Sequence, residues 1–157
     1  MPRVFSTTID VDAPAAVVFG VMIDIDRWPQ WTPTVTRVEW LGTSTPPLAM
    51  GSRIRVVQPG VPPAEWTVSR LEAGRGFQIV SRSPGATVTA DHWIEPSDDG
   101  RSSRVTLSVS FSGWLGRIIG RMMRGLNERY IAQEAAGLRR RSEEVARGRA
   151  PAASRPA

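Results

Sequence analysis

The chain contains no cysteine, no lysine and only one histidine, His92. Without cysteine it can form no disulfide, thiolate metal site or cysteine nucleophile. A single histidine also leaves it short of the nitrogen ligands that a structural zinc site usually takes. No phosphate-binding glycine motif is present, because the glycines around Arg75 are not followed by a helix start with lysine and serine or threonine. We therefore expect neither a metal nor another cofactor.

All 20 basic residues are arginines, and the net charge is +5. This composition has two explanations. Arginine clusters bind anionic partners, and a coding bias that replaces lysine by arginine throughout also leaves a chain without lysine. The arginines are scattered along the chain, which favours the coding bias. A basic face interleaved with aromatic side chains is also missing, so we expect no nucleic-acid partner.

The sequence has no signal-peptide pattern at its start, and no apolar run reaches the ~20 residues needed to span a bilayer. We expect a cytoplasmic protein. Its 157 residues fit one domain, and a chain of this length buries roughly 70% of its unfolded surface. A core is therefore feasible without disulfides.

Hydrophobic periodicity predicts the order of elements. Alternation predicts a strand over Arg3–Val11, and a helix follows over about 13–23, with a further turn over 24–31 that Pro29 breaks. Period-two patterns separated by turn residues then predict six strands in an antiparallel meander: Thr34–Leu41, Ser52–Gln58, Ala64–Leu71, Gly76–Arg82, Ala86–Glu95 and Arg104–Ser112.

The C-terminal part has helical spacing from Gly113 to about Arg147, and the Ala/Pro/Arg/Ser tail over 148–157 is expected to be disordered. Residues 1–147 then form one α+β domain. In it, a curved seven-stranded antiparallel sheet wraps around a long C-terminal helix, with two short helices after the first strand. Only the long helix can cover the apolar face of the sheet.

Three segments resemble the helix-grip superfamily that includes START-like lipid-transfer domains and bacterial polyketide cyclase/dehydratases (the SRPBCC group). The segments are IDVDAPAAVVFGVMIDIDRWPQW, the strand series from Met50 to Trp93, and the closing helix GWLGRIIGRMMRGLNERYIAQEAAGLRRRSE. The resemblance covers residues 3–146. It implies a cavity between sheet and helix, but this superfamily hosts carriers, receptors and enzymes alike.

Strand alternation assigns one side chain in two to the inner face. From that face, the turn near Pro29 and the helix, we predict these ligand-binding residues: Thr7, Trp28, Trp40, Gln58, Trp66, Phe77, Ile79, Ser81, Ala90, His92, Leu107, Val109, Phe111, Ile119, Met122, Leu126 and Tyr130. A mostly apolar pocket with a few polar groups is the usual form of a small-molecule site. The same aromatic side chains are also consistent with a filled core.

His92 is the candidate catalytic residue, because histidine is the side chain that ordinarily exchanges a proton near neutral pH. Val88, Ala90 and Ile94 place it on the apolar face. A core histidine held by one hydrogen bond and a histidine in contact with a ligand fit this position equally well. No nucleophile motif accompanies it.

Three functions follow. The first is binding of a hydrophobic small molecule such as a lipid, polyketide or aromatic metabolite in the cavity. The second is a cyclase or dehydratase in which His92 acts as acid or base, and Ser81, Gln58 or Tyr130 orients a carbonyl. The third is a lipid shuttle with the arginine-flanked helix on a membrane surface, but that helix must cover the sheet, so we do not expect membrane contact. A monomer and a homodimer both fit the sequence.

Overall fold

The computed structural model describes residues 2–149. Within them the chain forms seven strands and four helices, with the strands and the first two helices in the predicted order. The elements are β1 (Arg3–Val11), α1 (Ala15–Ile23), a 3-10 turn (Ile25–Arg27), α2 (Trp28–Trp31), β2 (Arg37–Trp40), β3 (Arg53–Val57), β4 (Ala64–Glu72), β5 (Gly76–Ser83), β6 (Ala86–Pro96), β7 (Ser103–Ser112), α3 (Trp114–Met122) and α4 (Arg124–Arg149).

The strands form one antiparallel sheet in the order β1-β7-β6-β5-β4-β3-β2. Consecutive strands from β2 to β7 are neighbours, as the short connections predict, and β1 closes the far edge beside β7. Residues assigned to the inner face pair with one another across the strands, as in Phe77 with His92 and His92 with Leu107. The predicted helix-grip architecture is confirmed.

The two short helices hold one end of the core. Pro29 does not break the second of them, contrary to expectation, but lies in its first turn, where proline's missing N–H removes no helical hydrogen bond. Trp28 and Trp31 are buried on either side of it, and the Trp28 indole donates to the carbonyl of Met22 at 3.0 Å. This bond joins α2 to the end of α1.

The C-terminal segment is not the single helix that the sequence predicts. It divides at Met123, whose φ of −97° and ψ of 17° end α3. α3 packs on β6 and β7, whereas α4 packs on β1 and α1, so the two helices cover different parts of the sheet. Gly125, a poor helix former, is the second residue of α4 after this break.

α4 covers the inner face of the sheet with Ala135 and Leu138, which join the main core. Gly148 and Arg149, which the sequence assigns to a disordered tail, end this helix. The remainder of that predicted tail, 150–157, lies outside the described residues. None of the helices within 2–149 combines the length and apolar character required for crossing a membrane.

Candidate functional site

A pocket of about 120 Å³, partly open to solvent, lies between the inner face of the sheet and α4. Most of its surface is apolar. Its wall consists of Trp28, Val35, Val56, Gln58, Trp66, Ile79, Ala90, Asp91, His92, Leu107, Ser108, Val109, Asn127, Tyr130, Ile131 and Glu134. Strands β3 to β7 supply the floor, because their inward residues face the helix.

α4 contributes one face of its first half to the pocket. Asn127, Tyr130, Ile131 and Glu134 follow the spacing of three and four residues that places side chains on one side of a helix. Three of these four are polar. The helix therefore brings polar groups to a pocket whose floor is largely aliphatic and aromatic.

His92 and Glu134 form the polar centre of the pocket. The imidazole Nε2 lies 2.9 Å from Glu134 Oε1, with the histidine side chain 8% and the glutamate side chain 23% exposed. The other ring nitrogen, Nδ1, is buried and has no hydrogen-bond partner among residues 2–149. A histidine oriented by a carboxylate through one nitrogen, with the second nitrogen uncommitted, is the arrangement that a general base requires.

Aromatic rings fix the plane of this imidazole. Phe77 lies almost parallel to His92, with ring centroids 4.5 Å apart and an interplanar angle of 17°. Trp28 is also stacked with His92, and their ring centroids are 6.1 Å apart. Phe77 is fully buried, so it supports the site from within the core rather than lining the pocket.

Two further polar groups flank the pocket. The Tyr130 hydroxyl donates to the carbonyl of Pro59 and so joins α4 to the β3–β4 connection. The amide nitrogen of Asn127 is buried without a hydrogen-bond partner in the described part of the chain. Asn127 Nδ2 and His92 Nδ1 are thus two buried polar atoms of pocket-wall residues without a partner in the described part of the chain, and such atoms cost free energy.

About half of the predicted ligand-binding residues meet in this wall: Trp28, Gln58, Trp66, Ile79, Ala90, His92, Leu107, Val109 and Tyr130. The structure places the others elsewhere. Trp40 donates its indole N–H to Asp26, and Thr7 lies in a separate groove beside the second half of α4. Ser81 pairs with Val88 at another part of the sheet.

The predicted helix residues are displaced by the break at Met123. Met122 is 81% exposed, and neither Ile119 nor Leu126 belongs to the pocket wall. Phe111 is buried against Phe5, with their rings edge to face at 6.1 Å. Ile119 and Met122 belong to α3, which packs on β6 and β7 and contributes no residue to the pocket wall.

Sequence reasoning missed Asn127, Ile131 and Glu134. A signal is present in the spacing: steps of three and four residues from Tyr130 lead to Asn127 and Glu134, and a step of three from Glu134 leads back to Ile131. Among residues 2–149, no group of three or more histidine, aspartate and glutamate side chains is placed to hold a metal ion.

Solved structures share this fold at low sequence identity. A START superfamily protein from Mycobacterium smegmatis superposes with a TM-score of 0.72 at 16% identity, covering 90% of this chain and 98% of its own. The Zhui aromatase/cyclase from Streptomyces sp. R1128 gives 0.66 at 18% identity, covering 98% and 99%. A truncated norcoclaurine synthase from Thalictrum flavum gives 0.69 at 12% identity, covering 92% and 94%.

No curated protein matches the chain. The family model described as "Polyketide cyclase / dehydrase and lipid transport" matches residues 2–143, nearly the whole of the domain. The predicted resemblance is thus confirmed: this chain belongs to the polyketide cyclase / dehydrase and lipid transport family and has the START-like fold.

Proposed function

We propose that the chain binds a hydrophobic small molecule bearing a carbonyl or hydroxyl group in the pocket between the sheet and α4. The observation that carries this proposal is the largely apolar wall with unpaired polar atoms on His92 and Asn127. Apolar surface supplies the affinity of such sites, and a few polar groups fix the ligand's orientation. A hydrogen bond from a ligand to either unpaired atom would offset the desolvation cost of that buried atom.

The size of the pocket narrows the ligand class. An apolar cavity of about 150 Å³ holds one benzene molecule, so about 120 Å³ suits one ring or a short aliphatic segment. Since the pocket is partly open, the remainder of a larger ligand would lie at its mouth. A lipid tail, a polyketide segment and an aromatic metabolite all fit this description.

Native mass spectrometry of gently purified protein tests the proposal. We expect an extra mass that is lost on denaturation and reappears in an organic extract. Ala90 lines the pocket from β6, so Ala90→Phe should fill it and abolish the extra mass. Ala16→Phe is the matched control, because Ala16 is exposed on α1.

If the purified protein carries no extra mass, equilibrium dialysis with 2-naphthol provides the same comparison. The wild type and Ala16→Phe should bind it, and Ala90→Phe should not. Binding by Ala90→Phe equal to that of the wild type, or binding by none of the three, would refute the proposed pocket.

A second candidate function is favoured by the His92–Glu134 pair: acid–base catalysis of an aldol-type cyclisation or dehydration. With Nε2–H donating to Glu134, the Nδ1 lone pair would accept a proton from the carbon next to a substrate carbonyl. Asn127, Gln58 or Tyr130 would hold that carbonyl, whereas Ser81 lies outside the pocket wall. Confinement of the substrate in a reactive conformation would supply the rest of the acceleration.

Deuterium exchange of 2-tetralone in D₂O, followed by proton NMR, tests this chemistry without a known substrate. We expect catalysed exchange at the carbons next to the carbonyl and its decrease by about 10²–10⁴-fold in His92→Gln. Glu134→Gln should give a smaller loss, because it removes only the group that orients the base. Glu128→Gln, an exposed change on the same helix, should leave exchange unaltered. Equal rates in the wild type and His92→Gln would exclude the acid–base role.

A further inference from the structure

The outer side of α3 carries apolar side chains that are exposed to solvent. Trp114, Ile118 and Met122 are 65%, 49% and 81% exposed. Their spacing of four residues places them along one side of the helix. Val4 of β1, 56% exposed, lines the same surface groove as Trp114 and Ile118.

The inner side of α3 is fixed against the sheet by two glycines. Gly116 and Gly120 are buried, and a Cβ at Gly120 would lie only 3.0 Å from the ring of Phe111. The helix therefore lies close to β6 and β7 with its outer side held away from the core. The exposure of the apolar stripe is a consequence of this packing.

Arginines border the stripe. Arg117 and Arg121 are exposed, and neither forms an ion pair with any of residues 2–149. Arg3 and Arg124 line the same groove, where Arg124 pairs with Glu128. The α3 surface, defined as Val4, Trp114, Ile118 and Met122 with Arg117 and Arg121, thus combines exposed apolar area with free positive charge.

We propose that the α3 surface docks on an anionic lipid surface. An apolar stripe flanked by arginines is the pattern of helices that lie in the membrane interface. The aliphatic parts of the arginine side chains extend over apolar surface while their guanidinium groups stay at the level of the headgroups. Each arginine near an anionic leaflet adds attraction that neutral lipid does not provide.

The break at Met123 makes this docking compatible with the fold. Membrane contact was not expected from the sequence, because a single C-terminal helix would be needed to cover the sheet. In the structure α4 covers the sheet, with Ala135 and Leu138 in the core, and α3 keeps its apolar stripe outside. Docking therefore requires no helix to leave the sheet, and it is independent of whether the pocket binds a ligand.

The charge of the α3 surface favours lipid over a second copy of the chain. A two-fold symmetric contact brings the same patch of both subunits together. Arg117 and Arg121 of one copy would then face their counterparts, and like charges in a closed contact are destabilising. An anionic lipid surface neutralises the same arginines.

Flotation of the full chain with vesicles tests the proposal. We expect the wild type to float with phosphatidylcholine/phosphatidylglycerol vesicles and much less with phosphatidylcholine alone. The triple variant Trp114→Ser/Ile118→Ser/Met122→Ser should lose at least about tenfold in partitioning, because its apolar contact with lipid is removed. Arg117→Gln/Arg121→Gln should lose about fivefold per arginine on the anionic vesicles only.

Met50→Ser is the matched control, since Met50 is 59% exposed in the β2–β3 connection and should have no effect on flotation. Circular dichroism melts check that each variant is folded, and the arginine pair tests the surface should the serine variant unfold. The proposal is overturned if the wild type does not float with anionic vesicles, or if both surface variants float as it does. It is also overturned if sedimentation shows that the wild type is a dimer and the serine variant a monomer, because the surface would then bind a second copy.

Discussion

Replacing Gly137 by alanine is expected to lower the free energy of unfolding by about 3 kcal/mol, although alanine is the better helix former. A Cβ at this position would lie 2.0 Å from the carbonyl oxygen of Trp31 and 3.1 Å from its carbonyl carbon. Because these are backbone atoms of α2, no side-chain rotation relieves the clash. α4 would have to move away from α2, together with the pocket-lining turn that carries Glu134.

Gly125→Ala is the control for this prediction. Gly125 belongs to the same helix and has no atom within 4 Å of a Cβ added there, so alanine should raise stability by up to about 1 kcal/mol. Thermal melts followed by circular dichroism measure both. In a chain of this size, about 1 kcal/mol shifts Tm by roughly 2–4 °C. A Gly137→Ala protein as stable as Gly125→Ala would contradict the close α2–α4 contact.

The strands were predictable because their signal is local. The alternation over Arg3–Val11 gives β1 with its observed bounds, since side-chain direction in a strand depends only on residue parity. β2 was predicted to begin at Thr34 but begins at Arg37. Thr34 is buried and its hydroxyl bonds that of Thr32 at 2.9 Å, a contact between two loop residues that no alternation pattern contains.

The C-terminal helix shows where periodicity stops being informative. The stripe Leu115–Ile119–Met122–Leu126 is regular on both sides of Met123, so hydrophobic spacing alone indicates a continuous helix. The break depends on how α3 and α4 pack on different strands, which is a property of the tertiary structure. For the same reason the sequence placed Met122 in the cavity and assigned the whole arginine-flanked helix to covering the sheet, which argued against its membrane-surface role.

The polar part of the site illustrates a second limit. His92 stood out because it is the single histidine on an apolar strand face, but its partner lies 42 residues further along the chain. Glu134 is one of four glutamates on α4, and only the folded structure distinguishes it from solvent-exposed ones such as Glu128. To predict that Glu134 pairs with His92, one must know which face of α4 meets the sheet.

Phe77→Ala should have the largest effect on the site itself, with a loss of about 3–5 kcal/mol in the free energy of unfolding. Phe77 is fully buried, and its removal leaves a cavity beside His92 and Trp28, with which it stacks. The imidazole would lose the ring that holds its plane. At temperatures where Phe77→Ala is fully folded, we therefore still expect it to bind ligand more weakly than the wild type does.

Phe77→Leu separates packing from ring stacking. It keeps most of the buried volume and should cost less stability than alanine, but it removes the aromatic contact with His92. Urea unfolding gives the stability of both variants. The widths of the histidine ring signals in proton NMR report how firmly His92 is held: we expect the signals to broaden in both proteins, in addition to the shift that loss of the Phe77 ring current causes in any case. Signals as narrow as those of the wild type in Phe77→Leu would mean that the hydrogen bond to Glu134 alone fixes the imidazole, and that the aromatic stack serves only to fill the core.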